Sequence, residues 1–282
     1  MRFLLIQENG RHERNRHMRE CFIMQRSLLF IGHQCDVWGL GHANYGATPD
    51  FNSYDVVINL ENYDTGWVPD LGAYNKPVKL LWCIDAHFRG LGCYLQEFGR
   101  GKYTKLLQAT KTYVDLNSVW FPNFCDDFFI RPMPEVNKVH DVGFCGNYVN
   151  RKPLFDELST RLPGFQLDVG VIGFDMVKAI NSYKIQFNKN VAGDINYRSF
   201  ETLACRTVLL TNYDSQYLEL GFEHGINCLM YNSLDEAVDL INSTLSNRLL
   251  LDSIANSGFD LLKAKHSAIQ RAETLTQIIN QI

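Results

Sequence analysis

Several common signatures are missing from this 282-residue sequence. None of its eight cysteines forms a C-x-x-C pair, and no G-x-G-x-x-G run follows any strand-like segment. The first absence argues against a zinc site or a disulfide framework, and the second weakens any case for a dinucleotide cofactor. The cysteines sit singly, several within apolar runs such as "LLWCI" and "VGFCG". They read as small buried hydrophobes in a reducing compartment. Positive charge is not in excess either: Lys and Arg total 27 against 31 Asp and Glu, a formal net charge of -4. That balance disfavours a dedicated nucleic-acid binder, although it leaves room for a local basic patch. No apolar run approaches membrane length, and "MRFLLIQ" is too short for a signal peptide, so a soluble, cytoplasmic protein is expected. Solenoid repeats and low-complexity stretches are also missing.

What is present is core material, with 46% hydrophobic and 21% charged residues, and a regular alternation. Short apolar runs read as strands: "RFLLIQ", "CDVWG", "DVVINL", "VKLLWCI", "TYVDL", "DVGFCG", "FQLDVGVI", "KIQFN", "TVLLT" and "INCLMY". Amphipathic stretches such as "RNRHMRECFIMQRSLLFIG", "RKPLFDELSTRL" and "SLDEAVDLINSTL" lie between them. Continuous apolar strands alternating with helices predict parallel sheets covered on both faces, a doubly wound α/β architecture. The segment "FPNFCDDFFIRPMPEVNKVH", with three prolines and no periodicity, reads as a linker. The expected organisation is therefore a Rossmann-like domain over 1–135, a second over 136–265, and a last helix over 266–282 that packs back across the first. Strand ends facing a cleft between two such domains are the expected binding site.

Two stretches of the second domain carry anion chemistry. In "DVGFCGNYVNRKPLF" a strand ends at Gly146-Asn147 and a helix begins near Arg151 and Lys152, where free N–H groups and the helix dipole favour an anion. In "YRSFETLACRTVLLTN" Arg198 and Glu201 share one helix face at the helix mouth. A guanidinium can hold a diphosphate bidentately, and a carboxylate can accept the two hydroxyls of a ribose. An ordinary surface ion pair at that spacing would contribute only ~0.2–0.5 kcal/mol.

From Asp141 onward the chain resembles the CgeB-like, spore-maturation-type glycosyltransferases. The matching marks, in order, are "DVGFCGNYVNRKPLF", "SYKIQFN", "NYRSFETLACRTVLLTN", "LELGFEHGINCLMYNSLDEAVDLI" and "IANSGFDLLKAKHSAIQRAE". The first half resembles the family only through "WCIDAH" and "WFPNFCDDFFIRP". The resemblance implies a GT-B fold, two Rossmann-like domains facing a central cleft, with a nucleotide-sugar donor, such as a UDP-sugar, held mainly by the second and an acceptor by the first. It places Arg198 and Glu201 at the donor phosphates and ribose, and Gly146, Asn147 and Arg151 in the phosphate loop. Lys184 opens the family's K-I-x-x-N strand, and Asn196 and Tyr197 lie beside the donor. Related retaining families carry a second glutamate eight positions before Glu201; here that position is Gly193, with Asp194 next to it, so retention or inversion stays open. The sequence has no D-x-D motif, since Asp126-Asp127 is adjacent rather than spaced. Arginine, lysine and a helix N-terminus are then expected to stabilise the leaving diphosphate, with neither metal nor cofactor.

In the first domain, three strand ends carry polar groups: Glu8 and His12, Glu61 and Asp64, and Asp85 and His87. An inverting transfer needs a proton acceptor. Asp85, at the end of "LLWCID", is the first candidate, then His87 and Glu61, while a helix N-cap is the plainer role for Asp85. Trp82 reads as core. Basic stretches "RHERNRHMRE" and "FRGLGCYLQEFGRGKYTKLLQATK" follow these ends and offer His12, Arg16, Arg89 and Arg100 as acceptor contacts. The second interleaves aromatics with cations, as a nucleic-acid track does. The chain also resembles phage enzymes that transfer arabinose or glucose to hydroxymethylcytosine in DNA, which implies a double-stranded DNA acceptor and base flipping. The alternatives are a polysaccharide, lipid-linked sugar or protein acceptor, a nucleotide-sugar epimerase of related fold, or a binding module without turnover.

Overall fold

The computed structural model describes residues 1–9, 17–62, 65–148 and 151–282. The chain forms two compact units: Met1–Asn123 with Ala192–Asp194 and Ala268–Ile282, and Phe124–Val191 with Ile195–Ser267.

The first unit is built on β1 (Arg2–Ile6), β2 (Gln34–Trp38), β3 (Val56–Leu60), β4 (Val78–Cys83), β5 (Lys105–Gln108) and β6 (Ser118–Trp120), with α1 (Glu20–Phe30) between β1 and β2. The short α2 (Ala86–Arg89) and the longer α3 (Leu91–Gly101) follow β4. All pairings are parallel, in the order β2-β1-β3-β4-β5-β6. Central strand β3, "VVINL", is buried along its whole length, which explains its unbroken apolar character. Leu4, Ile6, Trp38, Phe51, Val57, Leu81 and Leu106 form the core on one side of this sheet.

The second unit contains β7 (His140–Gly146), α4 (Lys152–Arg161), β8 (Gln166–Val169), α5 (Gly173–Ser182), β9 (Tyr183–Phe187), α6 (Tyr197–Ala204), β10 (Val208–Asn212), α7 (Ser215–Glu219), β11 (Leu229–Tyr231), α8 (Leu234–Leu245) and α9 (Arg248–Leu261). Its sheet is parallel in the order β11-β10-β9-β7-β8. Val142, Phe144, Phe155, Ile185, Phe187, Val208 and Leu210 pack its core. In each sheet the order reverses once, between β1 and β3 in the first and between β7 and β9 in the second. The loops leaving the strand ends there diverge, and ligands bind at such reversals.

Three sequence expectations are corrected. "TYVDL" is not a strand: Lys111–Tyr113 is a 3₁₀ turn, and Leu116 is 95% exposed. The strand is Lys105–Gln108, whose Leu106 and Leu107 are buried. The proline-rich segment is not a linker, and the units divide after Asn123 rather than at 135. Phe124, Cys125 and Ile130 are buried, Cys125 N–H donates to His266 O at 3.0 Å, and Met133 N–H donates to Asn181 Oδ1 at 2.9 Å. Buried side chains and specific hydrogen bonds hold this segment in the second unit despite its lack of periodicity. After a π-helical turn at Leu262–His266, α10 (Ala268–Asn280) belongs to the first unit and packs against α1. All eight cysteines are free thiols, seven of them buried. Among the described residues no helix is long and apolar enough to cross a membrane.

Candidate functional site

The reversal between β7 and β9 gathers most of the residues expected at the donor. Strand β7 ends at Gly146, whose φ of +156° and 3.1 Å clearance from the Phe144 ring to an added Cβ suit glycine. Arg151, at the N-cap of α4, lies over the Phe144 ring with its guanidinium carbon 5.4 Å from the centroid. It donates to Asn147 O in its own loop and to Lys189 O, after β9, at 2.7 Å. The guanidinium thus straps the two loops together through carbonyls, and it has no carboxylate partner among the described residues.

Across from it stands the first turn of α6. Asn196 is the N-cap, but its side chain makes no capping bond among the described residues; Nδ2 donates to Asn188 Oδ1 at 3.3 Å instead. Tyr197 packs edge-on against Phe124. Arg198 Nη1 and Glu201 Oε2 are 2.8 Å apart, with side chains only 16% and 14% exposed. This is no solvated surface pair. Burial works against the Arg198 charge, but Glu201 together with Cys145, Cys205 and Tyr183 outweighs it, so its pKa is raised. Arg151 goes the other way, lowered first by burial and then by the Arg198 charge. Two guanidiniums, each at a helix N-terminus where cations are unfavourable, with one carboxylate paired to Arg198, leave uncompensated positive charge. That arrangement suits a diphosphate.

Lys184 is not part of it. It lies near the start of β9 and pairs with Asp141, near the start of β7, at 2.5 Å. The four-residue rise from Lys184 to Asn188 carries it ~13 Å from the loop end. Sequence reasoning missed Asn188, Asn190, Ser199, Thr211 and Tyr217, which form a buried hydrogen-bonded group beneath this turn. A polar pair directly after an apolar strand, "FNKN", was the available signal for the two asparagines.

In the first unit, Glu61 follows β3 and reaches the end of β4. Its Oε2 accepts from the N–H groups of Ile84 and Asp85 at 2.8 and 2.7 Å and from the Tyr94 hydroxyl, while Oε1 lies 3.6 Å from Arg89. With its oxygens taken up by three donors and a guanidinium, Glu61 is corrected from proton acceptor to support for the Asp85 backbone. Asp85 is the N-cap residue of α2, as its plainer role has it, but its side chain makes no capping bond among the described residues. Burial, reinforced by Glu61 and Glu20, pushes its carboxyl up to about 6. His87 Nδ1 is buried with no hydrogen-bond partner among the described residues. Asp194 joins them: it is 9% exposed, accepts from Thr110 Oγ1 at 3.4 Å, and is pushed up to about 6 by burial, with His87 opposing and Asp85 adding. The preceding Ala192, at a φ of 55°, carries left-handed strain, a hint of function.

The acceptor candidates are less exposed to a partner than their sequence suggests. Arg89 is engaged by Glu61 and by Asn62 O, and Arg100 pairs with Glu97 at 2.7 Å. Both border a cavity of about 400 Å³ that Glu61, Asn62, Tyr94 and Glu97 also line. His12 and Arg16, with Asp64, lie outside the described residues. Among the described residues no three His, Cys, Asp or Glu side chains form a metal-holding group.

No curated protein matches the sequence. Solved structures do match the fold. Anabaena HepE in complex with UDP and glucose superposes with a TM-score of 0.70 at 11% identity, covering 100% of both chains. An alpha-glucosyltransferase in complex with UDP and a 13-mer DNA gives 0.69 at 11% identity, covering 99% of this chain and 100% of that one. T4 phage BGT in complex with UDP and Mn2+ gives 0.64 at 14% identity, covering 99% of each. At such identities the likeness is one of fold, and the two parallel-sheet units have the GT-B architecture. A family model described as glycosyl transferase-like matches residues 129–277, more than half of the chain and nearly all of the second unit. The chain therefore belongs to the glycosyl transferase-like family.

Proposed function

We propose that this glycosyltransferase moves a sugar, arabinose or glucose, from a UDP-sugar to the hydroxyl of hydroxymethylcytosine in DNA. One observation carries the donor assignment: Arg151 and Arg198 converge at the β7–β9 reversal, their charges opposing each other, with the half-buried Glu201 paired to Arg198. In this reading the arginines and the α6 N-terminus bind the diphosphate, and Glu201 accepts the ribose hydroxyls. Three structural neighbours hold UDP, which favours that nucleotide.

For the transfer, the acceptor oxygen forms a bond to the anomeric carbon as the bond to the diphosphate oxygen breaks. The departing UDP carries the electron pair and gains negative charge where the guanidiniums stand, which makes them transition-state stabilisers as well as binders. The hydroxyl proton passes to Asp85 in an inverting reaction. A carboxyl near pKa 6 is ionised at neutral pH yet is a better proton acceptor than an ordinary aspartate. Gly146, Asn147, Asn196 and Tyr197 line the donor, and no metal is required.

A DNA-bound neighbour favours the nucleic-acid acceptor. A second reading, a saccharide acceptor, is favoured by the charge pairing of Arg89 and Arg100, which leaves few bare cations for a polyanion. The test is incubation with UDP-glucose or UDP-arabinose and hydroxymethylated duplex, in EDTA, followed by mass analysis of the bases. A hexose or pentose on the base supports the proposal. UDP release that needs a saccharide instead selects the second reading, and activity restored only by manganese rejects metal independence.

A further inference from the structure

Beneath the donor turn of the second unit, one hydroxyl joins four separate elements. Tyr217 on α7 is fully buried, and its hydroxyl lies 2.6 Å from Asn190 Nδ2, 2.7 Å from Ser199 Oγ and 3.0 Å from Thr211 Oγ1. Asn190 belongs to the loop after β9, Ser199 to the first turn of α6, and Thr211 to β10. A phenol can accept two hydrogen bonds and donate one. Those three neighbours fill that capacity: Asn190 donates, one of the two hydroxyls donates, and the other accepts.

The partners are themselves fully committed, which fixes their rotamers. Asn190 Oδ1 accepts from Asn188 Nδ2 at 3.2 Å and from Asn196 N–H at 3.4 Å, and Asn190 N–H donates to Asn212 Oδ1 at 2.6 Å. Asn196 is the residue from which α6 starts, so the chain from Tyr217 to the helix mouth is continuous: Tyr217, Asn190, Asn196, and again Tyr217, Ser199. A simple core position would be filled by phenylalanine at lower desolvation cost. Here the hydroxyl is buried with every partner in place, and each partner belongs to an element that carries or flanks Arg198 and Glu201.

We propose that the Tyr217 hydroxyl is a positioning group for the donor site, holding the first turn of α6 in register with the loop after β9. This rests on the reading of α6 as the seat of the donor. Buried polar networks of this kind specify one geometry where an apolar core would tolerate several. Tyr217 does not touch the donor. It acts through Ser199 and Asn190 on the helix that does.

The test compares the parent with Tyr217→Phe and Ser199→Ala, using amide hydrogen exchange and calorimetric binding of UDP. Faster exchange confined to Asn188–Asn190 and Tyr197–Glu201, together with UDP binding weakened about tenfold, is the expected result. The double variant should lose less than the sum of the two single losses, because both remove the Tyr217–Ser199 link. Unchanged exchange at the α6 turn overturns the proposal. So does acceleration spread evenly over the strands of the unit, which marks a role in stability alone. Should the parent itself not bind UDP, the donor reading falls, and the exchange pattern still decides whether Tyr217 positions the turn.

Discussion

The two units present their polar groups at strand ends in opposite states. In the second unit the groups around α6 are tied down: Arg151 by two carbonyls, Asn188 and Asn190 by each other, and Tyr217 by three side chains. The first unit has one bracketed carboxylate, Glu61, and beside it two raised carboxyls, Asp85 and Asp194, and an imidazole nitrogen with no hydrogen-bond partner among the described residues. Tied-down donors and cations make a rigid anion seat, which is what binding requires. Loosely bonded carboxyls with raised pKa values cost stability and are suited to moving protons. The difference supports the proposed division, binding in one unit and chemistry in the other, and each prediction below tests it.

The largest effect is expected at Asp85. Asp85→Asn should lower turnover by roughly 10²–10⁴ while UDP affinity stays at the parental value. Equal losses in both would dissolve the division, and an unchanged rate would move the proton to His87 or Asp194. Next comes Arg198→Ala, which should weaken UDP binding by about 1.5–3 kcal/mol, read by calorimetry, because a charge-assisted contact is lost. Parental UDP affinity in that variant would remove α6 from the donor site.

The third prediction concerns pH, and activity and stability should move in opposite directions. In the folded chain burial pushes the Asp85 and Asp194 carboxyls up to about 6 from an ordinary 3.8. Between those values the folded state holds more protons than the unfolded one, so stability falls as pH rises through that window. A base must be deprotonated, so kcat should rise through the same window. Chemical denaturation and initial rates between pH 4 and 7 measure both. In Asp85→Asn the stability slope should shrink, and a slope unaffected by that change would assign the titration elsewhere.

How far the sequence reveals this division follows from what periodicity encodes. Runs such as "VVINL" show which strands are buried on both faces, and the Arg198–Glu201 spacing shows one shared helix face. Register and strand end are different matters. Lys184 and Asn188 fall in one short motif, but a strand separates its two ends, so only the asparagine reaches the site. Glu61 looks as available as Asp85 in sequence, and only the folded chain shows the Ile84 and Asp85 N–H groups on its oxygen. Tyr217 carries no local signal at all, since its partners are 6, 18 and 27 residues away. The proline-rich segment misled because proline marks irregular backbone, which here is packed rather than exposed.

The smallest effect expected bears on the acceptor. Arg100 is 45% exposed and tied to Glu97, a partly buried i, i+3 pair on α3. Such pairs contribute little, so Glu97→Gln should change stability by less than ~1 kcal/mol. Its effect on DNA should be visible nonetheless. Releasing Arg100 from its carboxylate frees one cation for a backbone phosphate, and one added phosphate contact steepens the plot of log affinity against log salt by about 0.9. Binding to hydroxymethylated duplex, measured across a salt series, should therefore tighten at low salt in Glu97→Gln and converge with the parent at high salt. A saccharide acceptor predicts no such change, because no counterions are released. Unchanged slopes, with UDP affinity intact, would favour the saccharide and leave the donor assignment standing.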